Sequence, residues 1–438
     1  MAAEISLIIA PLFIRTMGAE IKHAIEIGER DFEKEVTVAG WVHEIRDLGG
    51  VLFLLLRDGT GILQVTALRK KNRELCDRLR NIPRESVIKV RGIVRGNTKV
   101  RNGYELLPEE VVVLSEAEKP LPLDVTGKVG ADIDTRFRSR WIDLRKPEVQ
   151  AIFRIRSQVL SAIRHWYDSE GFIEVQTPKI VQAGAEGGAS LFPVDYFGRK
   201  AYLSQSPQLY KQMLMASGLE RVYEIGPAFR AEESRTLRHL SEFSSVDVEM
   251  AFIDIEDLLR SIEELMAAVL IDVRKECTGD LETLGAEAVE PTLPLPRIPY
   301  SDAISILRGK TLDPKGERIV GDWVRDRYGA ELYFIVDFPS TEKPFYIKEG
   351  ESFDLEYKGM EITSGGMREH RLEQLMVNLG ERGLDPEDFD FYLNTFRYGM
   401  PPHGGYAIGL DRLIKQLLGL GNVREAVLFP RDKWRLVP

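Results

Sequence analysis

"FRAEESRTLRHLSEF", residues 229–243, lies between two alternating runs that read as strands, about 222–229 and 243–252. Within it Arg230, Arg235, Arg238 and His239 surround the carboxylates Glu232 and Glu233, in a chain whose formal charge is −10. An arginine fork binds phosphate oxygens in pairs, and Arg230 leaves its strand just where the loop begins. Glu232 can accept from an amine or help to hold a cation. Phe243, on the return strand, offers a flat face to a base, a stack worth ~1–3 kcal/mol in nucleic-acid complexes. A solvated, salt-bridged hairpin would carry the same charges, and on charge alone that plainer reading is the stronger one.

Outward from this hairpin, strand-like segments recur near 332–337 and 353–363. Helical spacing marks 148–170, 254–277, 368–382 and 406–418. Val149, Ile152, Phe153, Val159, Leu160, Ile163, Trp166 and Tyr167 form the apolar stripe of the first helix, which stops at Gly171 before the strand Phe172-Ile173-Glu174-Val175 and Pro178. Strands in succession with helices grouped outside a βαβ rhythm imply an α+β domain with a mostly antiparallel sheet flanked by helices. The glycine-rich phosphate loops of the Rossmann and P-loop types are missing.

Upstream the texture differs. From residue 35, short alternating runs (Val36–Val42, Val51–Leu56, Ile62–Val65, Val87–Val94, Leu106–Leu114) with a basic helical stretch near 69–82 suit a small all-β barrel of the oligonucleotide-binding type, the OB-fold. Residues 119–147, with their prolines, glycines and aperiodic charges, read as a linker or hinge. The expected organisation is an N-terminal extension at 1–22, a barrel at 23–118, the linker, and the α+β domain at 148–438. At 438 residues the chain is too long for one comfortable core.

Apolar content of 44% and charged content of 29% are those of an ordinary globular protein. The only cysteines, Cys76 and Cys277, are too few for a disulfide framework or a zinc site and point to a reducing, cytoplasmic interior. The apolar run Ile5–Ile14 has no basic lead, contains Pro11 and falls short of the ~20 residues a membrane span needs. It reads as neither signal nor anchor, Met17 is an alternative start, and no membrane partner is expected. The acidic balance excludes a surface given over wholly to DNA or RNA, but allows local basic patches.

Two further clusters carry chemistry. In "FDLEYKGMEITSGGMREHR", Asp354, Glu361 and Ser364 supply hard oxygen donors that strand alternation can bring together, a set suited to Mg²⁺. Gly365-Gly366 lets backbone approach a ligand, and Arg368 follows. In "GGYAIGLDRLIKQLLG", glycines 404, 405 and 409 lead into a helix whose apolar residues pack inward and leave Arg412 to point elsewhere.

Together, in this order and behind a barrel, these pieces resemble the class II aminoacyl-tRNA synthetases. The helix and strand ending at Pro178 look like motif 1, which in that family forms the dimer interface. Phe229–Phe243 looks like motif 2 and Gly409–Arg412 like motif 3. "SQSPQLYKQ" (204–212) and "SGGMREH" (364–370) are similar to the aspartyl members, in which the lysine and arginine, here Lys211 and Arg368, hold the substrate side-chain carboxylate. The resemblance implies that Gln208 and Asp247 hold the substrate α-amino group, with Ser364 nearby, and that Glu186 is the acid of a mobile loop closing over aspartate. It further implies that Arg230 binds the α-phosphate of ATP and that Glu232, His239, Leu240, Phe243 and Gly409 surround the nucleotide. Arg412 would cover the adenine and reach the γ-phosphate, and Asp354, Glu361 and Ser364 would hold Mg²⁺.

In the barrel, Arg46, Phe53 and Gln64 fall where the family contacts the anticodon, although periodicity alone would put Phe53 in the core as readily. His43, in "GWVHEIRD", is similar to relaxed members that charge asparagine tRNA as well as aspartate tRNA. The second loop, "RGNTKVRNGYE", matches neither type, so both specificities stay open. The absence of a large insertion between motifs 2 and 3, and of a long basic N-terminal arm, makes the pattern archaeal-like. The implied protein is a homodimeric aspartate–tRNA ligase, with aspartate, ATP and tRNA as partners. An asparaginyl enzyme and a non-catalytic tRNA- or amino-acid-binding paralogue are the alternatives. Lys211 argues against the former, and the intact Arg230, Glu361, Arg368 and Arg412 against the latter.

Overall fold

The computed structural model describes residues 21–100, 102–182, 191–232 and 236–438, and the chain divides into two compact units between Ala131 and Asp132. Of the stretch read as a linker, residues 132–147 belong to the second unit and are helical at Ile133–Arg138 and Arg140–Asp143.

The first unit is built on strands β1 (Ile21–Lys22), β2 (Glu35–Asp47), β3 (Val51–Arg57) and β4 (Ile62–Leu68), helix α1 (Arg73–Asn81), and strands β5 (Val87–Gly96) and β6 (Tyr104–Ser115). The sheet runs β1-β2-β3-β4-β6-β5, and β5 pairs back onto β2, so β2 to β6 close into a barrel. Strand alternation fills it: Leu52, Leu54 and Leu56 of β3 and Leu63, Val65 and Ala67 of β4 point inward, sealed by Leu75, Cys76 and Leu79 of α1. The Asn72 side chain caps α1 by accepting from Leu75 N at 2.9 Å. Phe53 lies between two inward leucines and therefore faces outward, half-buried and outside the core, so its periodic run does not make it a core residue.

The second unit opens with α2 (Ile133–Arg138), α3 (Arg140–Asp143) and the long helix α4 (Pro147–Ser169). There follow β7 (Ile173–Glu174), β8 (Ile180–Val181), the hairpin β9 (Pro193–Tyr196) and β10 (Arg199–Leu203), and α5 (Gln208–Met215). Next come β11 (Arg221–Phe229), β12 (Glu242–Ala251), α6 (Ile255–Glu276), α7 (Thr278–Leu284), β13 (Arg297–Pro299), α8 (Tyr300–Ile306), α9 (Pro314–Tyr328) and β14 (Leu332–Val336). The chain continues through β15 (Ile347–Tyr357), β16 (Glu361–Arg368), α10 (Leu372–Glu381), α11 (Asp390–Phe396), β17 (His403–Gly409) and α12 (Leu410–Leu417). The main sheet has eight strands in the order β13-β14-β15-β16-β17-β12-β11-β7, antiparallel except at its two ends.

One face of this sheet is apolar. Val246, Val248 and Met250 of β12, Tyr406 and Ile408 of β17, Ile362 of β16 and Phe353 of β15 form one core with α4, α6 and α12. The intervening residues of β12, namely Ser245, Asp247 and Glu249, face the other way and are nonetheless buried. That opposite, polar face carries the candidate site.

Two local readings differ from expectation. The segment 353–363 is a hairpin of two strands, because Lys358 and Gly359 (φ 50° and 67°) form a two-residue turn of the hairpin-favoring kind. The helix expected from 406 begins at Leu410, since residues 403–409, glycines included, are a central strand. Cys76 and Cys277 are both buried free thiols.

Candidate active site and nucleic-acid interface

Register aligns the site. Glu224 of β11 pairs with Asp247, Asp247 with Ala407, Ala407 with Ser364, and Ser364 with Asp354, a single row across five strands. Directly opposed residues of a sheet share a face. Motifs far apart in sequence are thus brought onto one surface, above which lies a cavity of about 300 Å³. Its walls include Gln208, Arg230, Glu232, His239, Leu240, Phe243, Glu361, Ser364, Arg368, Gly409 and Arg412. Lys211, Asp247 and Asp354 are not among its lining residues. Glu186 lies outside the described residues.

At one end of the cavity the charges are already paired. Arg368 grips Glu249 with two bonds, Nε to Oε1 at 2.9 Å and Nη2 to Oε2 at 3.1 Å. Lys211 Nζ donates to Asp247 Oδ1 and to the Tyr406 carbonyl, each at 3.1 Å, and stands 3.7 Å from Glu249. Burial opposes ionisation of Glu249, yet Arg368 and Lys211 together hold its carboxyl below the ordinary range. Gly405 makes the room: a Cβ there would lie 2.1 Å from Glu249 Oε2. Glu249 was missed in the sequence, although the alternation in Asp247-Val248-Glu249 places both acids on one face. Gln208 is buried, and its Nε2 has no hydrogen-bond partner among the described residues, an unmet donor in the cavity wall.

The opposite end is ordered for a polyanion. Arg230 sits with its guanidinium carbon 5.3 Å from the Phe243 ring centroid, and its backbone N–H donates to Ser241 O at 2.9 Å. Arg412, in the first turn of α12, donates to the Glu361 carbonyl at 3.1 Å and pairs with its carboxylate at 3.3 Å. Asp411 fixes that turn by accepting from Arg156 of α4 at 2.5 Å and from Ser244 N at 2.9 Å. Burial and the Arg412 charge keep His239 neutral to lower pH than usual, and its Nδ1 lies 2.9 Å from Thr236 Oγ1. Arg238, also in the wall, is held by a double ion pair from Glu317 of α9, whose carboxylate accepts the Glu361 N–H as well.

A candidate cation position lies beside Glu361. Among the described residues no three His, Cys, Asp or Glu side chains are grouped as metal ligands, so any metal there would rely on the hydroxyl of Ser364 and on its substrate. The donor chemistry fits: the Lys343 ammonium stands between Asp354 Oδ1 at 2.6 Å and Ser364 Oγ at 3.2 Å, so this pair already holds one cation. Burial raises the Asp354 pKa, while Arg412 and Lys343 outweigh burial at Glu361 and lower it.

Pro178 is exposed, next to Thr177 and Lys179, which are tied to the row: Glu224 accepts from Thr177 Oγ1 and from Lys179 Nζ, both at 2.7 Å. Ile173 on edge strand β7 and Ile180 on β8 are about half exposed.

With this geometry in view, comparison with known proteins is decisive. Residues 132–433 match the family model for class II tRNA synthetases (D, K and N), and residues 36–114 match the OB-fold nucleic acid binding domain. The chain belongs to the class II aminoacyl-tRNA synthetases. Among relatives of this synthetase, the aspartate–tRNA(Asp) ligase of Thermococcus kodakarensis is 50% identical over 95% of this chain and 99% of its own. The aspartate–tRNA(Asp/Asn) ligase of Methanopyrus kandleri is 51% identical over 94% and 97%. Among solved structures, the asparaginyl-tRNA synthetase of Pyrococcus horikoshii with asparaginyl-adenylate superimposes with a TM-score of 0.89 at 31% identity, covering 97% of this chain and all of that one. The synthetase has, among its described residues, no helix long and apolar enough to cross a membrane.

The synthetase's barrel carries its own cluster. Arg46, Phe53 and Thr66 lie opposite one another on β2, β3 and β4, and Gln64 is two residues from Thr66 on the same face. Gln64 Nε2 donates to Glu105 Oε2 at 3.0 Å and to Thr66 Oγ1 at 3.1 Å, while Arg46 pairs with Glu44 at 2.8 Å. His43 is the extra residue of a β-bulge between Val42 and Glu44. Its Nδ1 lies 2.9 Å from Nη1 of Arg57, itself bonded to buried Glu85 at 2.7 Å. Arginine can only donate, so Nδ1 accepts and the ring is neutral. Burial and the Arg57 charge lower its pKa accordingly.

Proposed function

We propose that this synthetase is a homodimeric aspartate–tRNA ligase that activates aspartate with ATP and esterifies the 3′ end of aspartate tRNA. The observation that carries the amino-acid choice is that Lys211 and Arg368, two buried cations, meet at the Glu249 carboxylate, Arg368 in the cavity wall and Lys211 outside its lining. A ligand carboxylate brought there can accept charge-assisted bonds from both, whereas the amide isostere turns an NH2 donor toward groups that can only donate. Glu249 and Asp247 pre-order both cations, and the substrate α-amino group is assigned to Gln208 and Asp247, with Ser364 beside the bound aspartate.

In the first step the α-carboxylate of aspartate attacks the α-phosphorus in line, and pyrophosphate leaves. Arg230 stabilises charge developing on the α-phosphate, and Arg412 binds at the far end of the triphosphate. Phe243 stacks on the adenine, with Glu232, His239, Leu240 and Gly409 around it. Asp354, Glu361 and Ser364 would hold Mg²⁺, which supplies charge neutralisation at the leaving phosphates. In the second step the terminal ribose hydroxyl of tRNA attacks the adenylate carbonyl and AMP leaves. The chain needs no nucleophile of its own, since positioning and electrostatics suffice.

On the barrel, Phe53 stacks a base of the anticodon, Gln64 bonds a base edge and Arg46 meets the backbone. His43 orients that surface through its bulge, and the relaxed reading includes asparagine tRNA as a substrate. The dimer is assigned to the edge formed by β7 and Pro178, where Ile173 and Ile180 present apolar surface. Sedimentation as a monomer at working concentration would remove it.

Aminoacylation with labelled aspartate, on aspartate and asparagine tRNA transcripts that differ at the third anticodon base, tests the whole reading. Charging of both supports the relaxed form and charging of aspartate tRNA alone the strict one. Failure with both, beside a working control enzyme, would refute the ligase.

A further inference from the structure

Lys343 precedes Pro344 in the connection between β14 and β15, outside all three motifs. Its side chain is only 7% exposed. Besides its bonds to Asp354 and Ser364, its ammonium lies 3.9 Å from the Phe338 ring centroid. Asp354 and Ser364 are register partners on adjacent strands and two of the three residues assigned to the metal, and the third, Glu361, is paired with Arg412. Each acid assigned to the metal is therefore already matched by a cation of the chain itself.

We propose that Lys343 is a resident cation that occupies the Asp354–Ser364 end of the metal site in the nucleotide-free protein and must yield when the divalent ion binds, so that the metal enters with its nucleotide and not ahead of it. The inference rests on the metal assignment made above. A divalent ion bonded to Asp354 would stand close to the ammonium, and at such separations in a largely buried site like charges repel strongly. A triphosphate changes the balance, because its oxygens compensate the added charge and give the displaced ammonium new acceptors. The Phe338 face holds the ammonium in place until then.

The test is titration of Mn²⁺, read by electron paramagnetic resonance and calorimetry, into wild type, Lys343→Met and Lys343→Gln, with and without a non-hydrolysable ATP analogue. Melting curves establish that each variant is folded, and the polar Gln variant stands in if Met is not tolerated. Without nucleotide, the neutral variants should bind Mn²⁺ at least about tenfold more tightly than wild type, and with the analogue the gap should shrink. Unchanged or weaker Mn²⁺ binding by the folded variants overturns the proposal while leaving the metal site standing. Wild type that takes up no Mn²⁺ even with the analogue would remove the metal assignment itself, and the proposal with it.

Discussion

The cavity of the second unit and the outer face of the barrel are both polar surfaces on a β-sheet, but their charges are held differently. Beside the cavity Lys211, Asp247 and Glu249, with Arg368 in its wall, are each 3% exposed or less and bonded to one another before any ligand arrives. On the barrel Phe53 and Gln64 are half-buried, and Arg46 makes an ion pair with its own side chain largely in water. A buried, mutually paired set is costly to disturb and fixes geometry, whereas a solvated set adapts at little cost. Chemistry on a small substrate needs the former, and reading splayed RNA bases is served by the latter.

The comparison breaks first at Arg230. Arg230→Ala should lower aspartate-dependent ATP–pyrophosphate exchange by about 10²–10³-fold with an unchanged melting temperature, since it removes one oriented donor to developing charge. Near-normal exchange in that variant would remove its assigned role.

Glu249→Gln disturbs the buried set itself. Losing one partner of a buried ion pair costs about 3–5 kcal/mol, so melting temperature and aspartate affinity should fall together. The same variant sharpens the pH dependence. Glu249 titrates below its ordinary value of 4.5, so the stability it adds is present above that pH and is lost as pH falls through the lower folded value. Acid denaturation followed by circular dichroism should begin at higher pH in wild type relative to its own neutral stability, and the corresponding limb should flatten in Glu249→Gln.

Smaller effects belong to the barrel. Phe53→Ala should weaken tRNA binding by about 1–3 kcal/mol, the worth of one base stack, and leave ATP–pyrophosphate exchange untouched. A loss of exchange there would erase the distinction between the two surfaces. Arg46→Ala should be milder still, within about 1 kcal/mol and diminished by salt, as expected for an exposed charge.

Most of this architecture was legible in the sequence where periodicity was long. The helix at 147–169 and the strands at 221–229 and 242–251 follow from apolar spacing, and motifs 2 and 3 located part of the cavity wall. What remained hidden depends on contacts distant in sequence. Glu249 reads as one more strand acid until Arg368, 119 residues on, is seen to grip it. Lys343 lies in an aperiodic connection, so nothing local marks its reach to Asp354 and Ser364. His43 could pass for exposed surface, and only the bulge in β2 and the approach of Arg57 show it to be held and neutral. The glycines before motif 3 read as the lead into a helix because a central strand with three glycines is unusual; at Gly405 a Cβ would collide with both the Glu249 carboxylate and the Val248 carbonyl.

The central claim is that a pocket of paired cations selects aspartate. Its most direct measurement is ATP–pyrophosphate exchange by the wild-type protein with aspartate and with asparagine at matched concentrations. Exchange with aspartate should exceed that with asparagine by about 10⁴-fold, the scale on which a site built for a polar group rejects its isostere. Comparable exchange with the two amino acids, or exchange with asparagine alone, would contradict it.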